Sequence, residues 1–359
     1  MFYNFELKQL LKKISHKKIR STCVYVLKNN KLILFLFNYY YKLKNRDEFF
    51  LQIEKREKLS LFEYQELAKP IPFCPIEKVK DSNYYGYAAA LKKYTGLRTL
   101  PFSIEHGLYL GSYVPKASYY RTIRSIITFS ENRKSHLREG GIEKKIIPIG
   151  PYIHYAEPLL DDQSFQKLKL ELGRVLLVFP SHSSLEELSK VDIQPFILEI
   201  KQLSKGFDTV LICMYYIDIL NNNCCQSYID AGFKIVTAGN IFDVNFIRRL
   251  KSIILLADFT VSNSIGTHLG YCVYLEKPHY IYKQKVNYIS TTNPNIILPR
   301  SRNWNTNQLI TLDQERDEIY KYFSSISLVI TDEQRNCADK YWGITSLRST
   351  DELRQLLTS

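Results

Sequence analysis

The sequence predicts an α/β protein with two domains that face each other across a cleft. The chain has 359 residues, enough for two domains of ordinary size. Apolar residues make up 45% of it, so a large core can form. Short, β-rich apolar runs alternate with helical segments at spacings of roughly 20–30 residues, which is the pattern of parallel strand–helix–strand units.

The first half of the chain carries short apolar runs that each end in a turn-prone or polar group. A helix is predicted at 83–96, because Gly96 is a typical residue just beyond a helix end. The strands of this half are predicted at 22–27, 101–107, 125–130 and 145–150.

The second half is more regular, and its strands are almost continuously apolar. Strands that are buried on both faces by flanking helices have this composition. Between them, the segment 244–257 places Ile247, Leu250 and Ile254 on one helical face. The strands are predicted at 174–183, 208–214, 233–240, 257–263 and 278–282.

A domain boundary is predicted near 150–164, which contains two prolines and an acidic pair but has no clear periodicity. Near the C-terminus, Ser349 is followed three residues later by Glu352, a signal for the start of a helix. We therefore expect a first domain over 1–155, a second over 156–335 and a closing helix over 336–359.

The cysteine pattern and the apolar runs indicate a cytoplasmic protein. Seven cysteines form no CxxC pair and no regular Cys/His spacing, which favours reduced thiols over disulfides or a zinc site. No secretory signal is visible, and the run 31–41 is too short to span a bilayer and rich in tyrosine. We expect no transmembrane anchor.

The net charge of +13, from 49 Lys and Arg against 36 Asp and Glu, favours an anionic partner. Nucleic acid, anionic lipid and phosphorylated substrates all have the required charge. The segment 7–20 combines lysines with Leu7, Leu10, Leu11 and Ile14 at helical spacing. Such a basic amphipathic helix can lie on a membrane surface, here the inner membrane face, or dock on its own domain as a solvated first helix.

A phosphate site is predicted where the strand at 257–263 leads into a helix that Pro278 ends. In an open parallel sheet this helix start lies at the carboxyl edge, where ligands bind. The first amides of a helix lack intrahelical partners and attract anions, hydroxyls add donors, and glycine allows close approach. Ordinary N-capping by one of the serines or the asparagine is the alternative. The predicted cluster comprises Ser262, Asn263, Ser264, Gly266, Thr267 and His268.

A second cluster, Glu105, His106 and Gly107, follows a predicted strand of the first half. Histidine transfers protons near neutral pH, and the adjacent glutamate either orients the ring or is itself the base. Gly107, Tyr109 and Gly111 are predicted to lie on the acceptor side, where the glycines leave room for a substrate. A structural role for His106 is the alternative.

A third cluster lies between the strand at 174–183 and a predicted acidic helix start. Ser183 or Ser184 would cap that helix together with Glu186 or Glu187. His182, with Ser183 beside it, is predicted to contact a phosphate or sugar, although a structural role is also open.

Several common site motifs do not occur in the sequence. There is no GxxxxGK[ST] loop, no GxGxxG after an early strand, no GxSxG elbow and no DxD pair. These observations disfavour nucleoside-triphosphate loops, dinucleotide redox chemistry and serine hydrolysis. We expect no metal and no resident cofactor, with phosphate charge met by amides, hydroxyls, histidine and basic residues.

Two Rossmann-like domains, the His106–Gly107 loop and the run "ADFTVSNSIGTHLGYCVYLEKP" at 257–278 resemble glycosyltransferases of the GT-B fold. The resemblance is greatest to bacterial capsule and surface-polysaccharide enzymes, and teichoic-acid glycerophosphotransferases share the plan. It implies that His106 lies where a catalytic residue is found and that Gly266 and Thr267 lie on the phosphate cluster.

Two departures from these families bear on the mechanism. Retaining GT-B enzymes usually carry a glutamate about seven residues before the proline-ended turn, and Tyr271 occupies that place here. The resemblance therefore implies an inverting mechanism. Glycerophosphotransferases usually have an aspartate where this chain has Ser264.

The function implied by the resemblance is metal-independent, inverting glycosyl transfer in bacterial capsule or lipopolysaccharide synthesis. The donor would be a UDP-, CMP- or GDP-linked sugar. The acceptor would be a saccharide, and one linked to a lipid diphosphate would suit the basic N-terminus. A CDP-alditol-dependent phosphotransferase that makes a teichoic-acid-like polymer is the alternative. Nucleic-acid binding ranks last, because no RRM, KH or zinc pattern is present.

Overall fold

The computed structural model describes residues 30–77, 79–100, 102–184, 187–222, 224–291 and 305–358. The helix predicted at 7–20 and the strand predicted at 22–27 lie outside these residues.

Helices and short strands alternate along the described chain. The helices are α1 (Lys31–Glu57), α2 (Tyr64–Ala68), α3 (Tyr87–Thr95), α4 (Glu131–Glu139), α5 (Asp162–Leu172), α6 (Ile193–Leu203), α7 (Tyr216–Leu220), α8 (Cys225–Asp230), α9 (Phe246–Leu256), α10 (Thr267–Tyr274), α11 (Thr306–Phe323), α12 (Asp332–Trp342) and α13 (Thr350–Thr358). The strands are β1 (Ser103–Ile104), β2 (Ser125–Thr128), β3 (Lys145–Pro148), β4 (Val175–Phe179), β5 (Glu187–Lys190), β6 (Thr209–Cys213), β7 (Lys234–Val236), β8 (Phe259–Ser262), β9 (His279–Ile281) and β10 (Asn287–Ser290).

The first sheet consists of β1, β2 and β3 in that order, and all its pairs are parallel. These strands confirm the predictions at 101–107, 125–130 and 145–150. The predicted helix at 83–96 is α3, and Gly96 follows it with a φ of +71°, which glycine adopts without strain. Its amide donates to the carbonyl of Lys92 and ends the helix.

The second sheet has the order β7-β6-β4-β8-β9, again with all pairs parallel. Each strand lies within a predicted apolar run, and all five residues of β4 are buried. The strand order reverses at β4: the chain first adds β6 and β7 on one side of β4 and then adds β8 and β9 on the other side. Ligands bind at the carboxyl ends of strands at such a switch point. The two parallel sheets with their flanking helices confirm the predicted α/β class with two Rossmann-like layers.

The acidic helix predicted after Ser184 is wrong, because this segment is the strand β5. It pairs with β10 in a two-stranded antiparallel ribbon in which Ser189 lies opposite Tyr288. The Ser184 hydroxyl does accept the amide of Glu187, at 3.1 Å, but it stabilises a tight turn into the strand and not a helix start. Pairing with a distant segment therefore overrides the local capping signal.

The C-terminal helices pack back onto helices of the first sheet. Helix α12 contacts α4 and α10, and α13 contacts α3. The predicted start of the last helix is confirmed, since the amide of Ser349 donates to the Glu352 carboxylate at 2.8 Å. The boundary predicted between 335 and 336 falls inside the continuous helix α12 and needs correction, whereas the limit at 155 stays a prediction.

One hydrophobic cluster extends from the first sheet to the second. It contains Ile127 and Phe129 from the β2 region, Val175 and Leu177 from β4, and Trp342 from α12. The two layers thus share a continuous core. No helix within the described residues is long and apolar enough to cross a bilayer.

Candidate functional site

A cleft of about 1060 Å³ lies at the carboxyl ends of β4, β6 and β8 and is bordered by the loop after β1. Three residues of the predicted site, Glu105, Gly111 and Ser262, do not line it. The predicted residues that do line it are His106, Gly107, Tyr109, His182, Ser183, Asn263, Ser264, Gly266, Thr267 and His268. The fold therefore brings the three sequence clusters to one cleft.

The start of α10 lies at the base of this cleft without a side-chain cap. Gly266 is the N-cap residue, and it has no side chain that could accept a hydrogen bond from the first turn. Capping by Ser262, Asn263 or Ser264, the alternative to a ligand site, is therefore not how this helix begins. The Leu269 amide donates to the Gly266 carbonyl at 3.2 Å, whereas the amides of Thr267 and His268 have no partner among the described residues and are available to an anion.

Gly266 is required by the close approach of a neighbouring ring. A Cβ atom at this position would lie 2.8 Å from the Cε1 and Nδ1 atoms of His268. That ring stacks on Phe179, with ring centroids 4.7 Å apart. Burial lowers the pKa of His268 to about 3, so the imidazole is neutral at physiological pH. Its Nε2 atom is buried and has no hydrogen-bond partner among the described residues.

Two predicted phosphate ligands have structural contacts instead. The Ser262 hydroxyl donates to the carbonyl of Ser264 at 2.9 Å and lies 3.0 Å from His279 Nε2. The side-chain oxygen of Asn263 accepts the amide of Ser181 at 2.6 Å, and its amide nitrogen donates to Gln284 at 3.0 Å. Both side chains are buried, so they shape the loop before α10.

The loop after β1 contacts the start of α10 directly. The Leu108 amide donates to Thr267 Oγ1 at 2.9 Å. A Cβ on Gly107 would lie 3.2 Å from the same oxygen, so a side chain here would crowd the contact. His106 therefore belongs to a loop that contacts the uncapped helix start.

His106 is oriented by tyrosines. Its ring packs edge-on against Tyr84 and Tyr109, and the Tyr109 hydroxyl lies 3.2 Å from His106 Nδ1. Burial raises the pKa of Tyr109 well above its ordinary value of 10.0, so the phenol keeps its proton. In the His106 tautomer that donates Nδ1–H to the phenol oxygen, Nε2 is the proton acceptor of the ring. The predicted acceptor-side residue Tyr109 is thus in contact with the predicted base.

Glu105 does not face the cleft, which argues against its predicted role as the base. Its carboxylate forms a two-point ion pair with Arg133, at 2.7 Å from Nη2 and 3.0 Å from Nε. It also accepts the hydroxyl of Thr128 at 2.7 Å. The side chains of Glu105 and Arg133 are each 4% exposed. This pair anchors the loop that carries His106.

Gly111 lies behind the cleft wall and connects the loop to α11. Its amide donates to Glu315 Oε2 at 2.6 Å, and His136 Nε2 lies 2.7 Å from Glu315 Oε1. Its φ of +69° favours glycine. Gly111 would therefore affect the acceptor side of the cleft only by positioning the loop.

The third cluster divides into an exposed and a buried residue. The ring of His182 lies in the cleft against Tyr215, with centroids 4.5 Å apart. Ser183 is fully buried, its amide donates to the Asp218 carboxylate at 3.0 Å, and its hydroxyl accepts the amide of Ser189 at 3.0 Å. The predicted ligand role fits His182 better than Ser183.

The sequence analysis did not single out Lys285 and Arg316, which line the cleft from the loop after β9 and from α11. Both side chains are exposed, and no ion pair is found for either among the described residues. Only the overall basic charge indicated such groups, since neither residue lies in a recognisable motif. They supply positive charge to the same cleft as the start of α10.

An aromatic wall was also missed. Tyr84, Tyr85, Tyr215 and Tyr216 line one side of the cleft. The Tyr85 and Tyr215 hydroxyls are 3.2 Å apart, and the Tyr85 backbone has a φ of +57°. The high tyrosine content was the only signal in the sequence.

Within the described residues, no group of His, Cys, Asp or Glu side chains is arranged to hold a metal ion.

The sequence matches no protein-family model and no curated protein. Among solved structures it is similar to a variant of the wall teichoic acid polymerase TagF, with 11% identity, a TM-score of 0.41 and coverage of 72% of this chain and 68% of that one. It is also similar to MnaA of S. aureus in a structure with UDP, with 11% identity, a TM-score of 0.35 and coverage of 74% of this chain and 68% of that one. A third similar structure is the UDP-GlcNAc 2-epimerase of Neisseria meningitidis bound to UDP-GlcNAc, with 11% identity, a TM-score of 0.32 and coverage of 75% of this chain and 70% of that one. Likeness at this level carries no argument about function, which depends on the residues of the cleft.

Proposed function

We propose that this chain is a glycosyltransferase that moves a sugar from a nucleotide donor to a hydroxyl of a saccharide acceptor without a metal ion. One observation carries the proposal. The hydrogen bond from the Leu108 amide to Thr267 Oγ1 places the His106 loop at the uncapped start of α10. A proton acceptor and an anion-binding helix end thereby border one cleft.

The donor phosphates would bind at the start of α10. The backbone amides there, the hydroxyls of Ser264 and Thr267 and the neutral His268 ring offer hydrogen-bond donors. Lys285 and Arg316, which line the same cleft, add positive charge. The aromatic wall next to His182 suits stacking of a base or a sugar face.

The proposed reaction is a single displacement. The acceptor hydroxyl transfers its proton to a ring nitrogen of His106, and its oxygen forms the new bond to the anomeric carbon. The bond from that carbon to the phosphate oxygen breaks, and the nucleotide leaves with the electron pair. Amides at the start of α10 and the two cations stabilise the negative charge that develops on it.

Inversion follows from the absence of a carboxylate where a retaining enzyme would carry one. Tyr271 occupies that place, is buried, and its hydroxyl lies 3.4 Å from the Tyr87 hydroxyl. Burial raises the pKa of Tyr271 well above 10.0, so the phenol is a poor nucleophile. NMR of the product would detect the inverted anomeric configuration.

A nucleotide panel tests the proposal. Thermal shifts with UDP, CMP, CDP and GDP should show one clear stabiliser, since a ligand that binds only the folded state raises its stability. Incubation of the matching nucleotide sugar with a saccharide acceptor should then release the nucleotide, with or without a chelator. Stabilisation by an oligonucleotide alone, with no response to any nucleotide, would contradict the proposal.

The second candidate is a phosphotransferase that uses a CDP-alditol donor and makes a teichoic-acid-like polymer. The observation that favours it is the pair of cations, Lys285 and Arg316, since a growing polymer of this kind is itself a polyanion. Ser264, in the place where those enzymes usually have an aspartate, disfavours it. A selective response to CDP, followed by phosphodiester formation, would establish this alternative.

The setting that we propose is the cytoplasmic face of a bacterial inner membrane, in capsule or lipopolysaccharide synthesis. The resemblance of the 257–278 run and the His106–Gly107 loop to surface-polysaccharide enzymes supports it, and so does the basic character of the chain. A lipid-diphosphate-linked saccharide would be a suitable acceptor. Extension of such a lipid-linked primer by the purified chain would test this setting.

A further inference from the structure

Helix α1 has two apolar faces, and only one of them packs on the protein. Its inner face contributes Tyr41, Phe49 and Ile53 to a hydrophobic cluster with Phe73 and Phe242. The first half of its outer face remains exposed, and each side chain there has between 37% and 65% of its surface accessible. These residues are Leu32, Ile33, Phe35, Leu36, Tyr39, Tyr40 and Leu43.

The exposed residues form a continuous stripe along the helix. Leu32, Leu36, Tyr39 and Leu43 follow each other at steps of four, three and four residues, which places them on one side. A contiguous apolar patch of this kind on a protein surface marks an interaction site. We name the seven exposed residues the α1 stripe.

Up to Arg46, the charged residues of α1 are all basic, and exposed acidic residues follow only from Asp47 onward. Lys42, Lys44 and Arg46 are exposed beside the α1 stripe. A helix that lies in a membrane interface typically combines leucine, phenylalanine and tyrosine with flanking lysines. The long cationic side chains reach the lipid headgroups.

We propose that the α1 stripe docks on the surface of an anionic lipid bilayer. An anionic surface complements Lys42, Lys44 and Arg46, whereas a second copy of this chain would bring the same cations together. The inference rests on the proposed setting at a membrane face and names the surface that would hold the protein there, and vesicle binding can fail or succeed independently of nucleotide binding.

Vesicle flotation of the full chain tests this docking surface. The wild type should float with phosphatidylcholine vesicles that contain phosphatidylglycerol and much less with phosphatidylcholine alone, and salt should weaken binding. The double variant Leu36→Gln/Leu43→Gln leaves the net charge unchanged and should lower the partition coefficient at least about tenfold, since membrane affinity scales with buried apolar area.

Leu170→Gln/Leu198→Gln is the matched control, because these leucines are 83% and 60% exposed on other helices. It should float as the wild type does. The proposal would be overturned if the wild type failed to bind anionic vesicles, or if both double variants bound equally. It would also be overturned if Leu36→Gln/Leu43→Gln dissociated a dimer in sedimentation without changing flotation, because the stripe would then be a contact between copies.

Discussion

His106 carries the chemical step in the proposed reaction, since it borders the cleft beside Thr267 while Glu105 does not. We expect His106→Ala to lower kcat by about 10²- to 10⁴-fold, which is the usual contribution of a general base. Nucleotide affinity should stay within about twofold, because the phosphates would bind to α10. Turnover and nucleotide binding, measured on the same preparation, separate the two effects.

His106→Gln is the matched variant, since it keeps a hydrogen-bonding partner for Tyr109 but cannot take up a proton. It should be as inactive as His106→Ala. An active His106→Gln enzyme would show that the ring has a structural role only.

Glu105 has a structural role in this account. Glu105→Gln leaves the buried guanidinium of Arg133 without its counter-charge, and breaking a buried pair in this way costs about 3–5 kcal/mol. We expect a large fall in the free energy of unfolding, measured by urea denaturation. The control Glu131→Gln removes a carboxylate from an exposed pair with Lys134 and should change stability little. If Glu105→Gln lost turnover at unchanged stability, Glu105 would be the base after all.

At the scale of elements, the contact between α4 and α11 should respond to pH. Its central groups are His136 and Glu315, with Glu139 near the imidazole and Asn132 donating to the Glu315 carboxylate. The hydrogen bond to Glu315 raises the pKa of His136 above 6.5 despite burial. Burial alone would raise the pKa of Glu315, but the hydrogen bonds from His136 and the Gly111 amide lower it below 4.5 overall.

The stabilising form of this pair is an imidazolium beside a carboxylate. The contribution of His136 to the stability of the fold is complete below pH 6.5 and is lost as the pH rises through its raised pKa. The contribution of Glu315 to the stability is complete above pH 4.5 and is lost as the pH falls through its lowered pKa. We therefore expect the Tm difference between the wild type and His136→Gln to be largest between pH 4.5 and 6.5 and to shrink above that window. A difference that stays constant from pH 5 to 9 would contradict a charged pair.

At the scale of the whole molecule, the periodicity of the sequence predicted most of the two sheets. Buried parallel strands such as β4 and β8 are local apolar runs, and a helix end such as Gly96 has its own signature. The strand order is not encoded locally, because it depends on which runs pair. For the same reason the segment that forms β5 was mistaken for a helix start, and β10 was not predicted.

The candidate site was predicted only in part, for a similar reason. The residues of the α10 start and His106 lie in short motifs that a reader of the sequence can recognise. Arg316 reaches the cleft from a helix about two hundred residues beyond the His106 loop, and Glu105 is engaged by Arg133 from a different helix. Such contacts follow from tertiary packing, in which α11 and α12 fold back on the first sheet.

The central claim is that the start of α10 binds the anionic half of a nucleotide, and calorimetric titration of Gly266→Ala tests it most directly. The added methyl group would lie 2.8 Å from the His268 ring and force that ring to move at the start of α10. The control Gly206→Ala adds the same atom where nothing lies within 4 Å. With the nucleotide that stabilises the wild type, we expect at least about a tenfold loss of affinity, or 1.4 kcal/mol, for Gly266→Ala and none for Gly206→Ala. Equal affinity of Gly266→Ala and the wild type would contradict the claim.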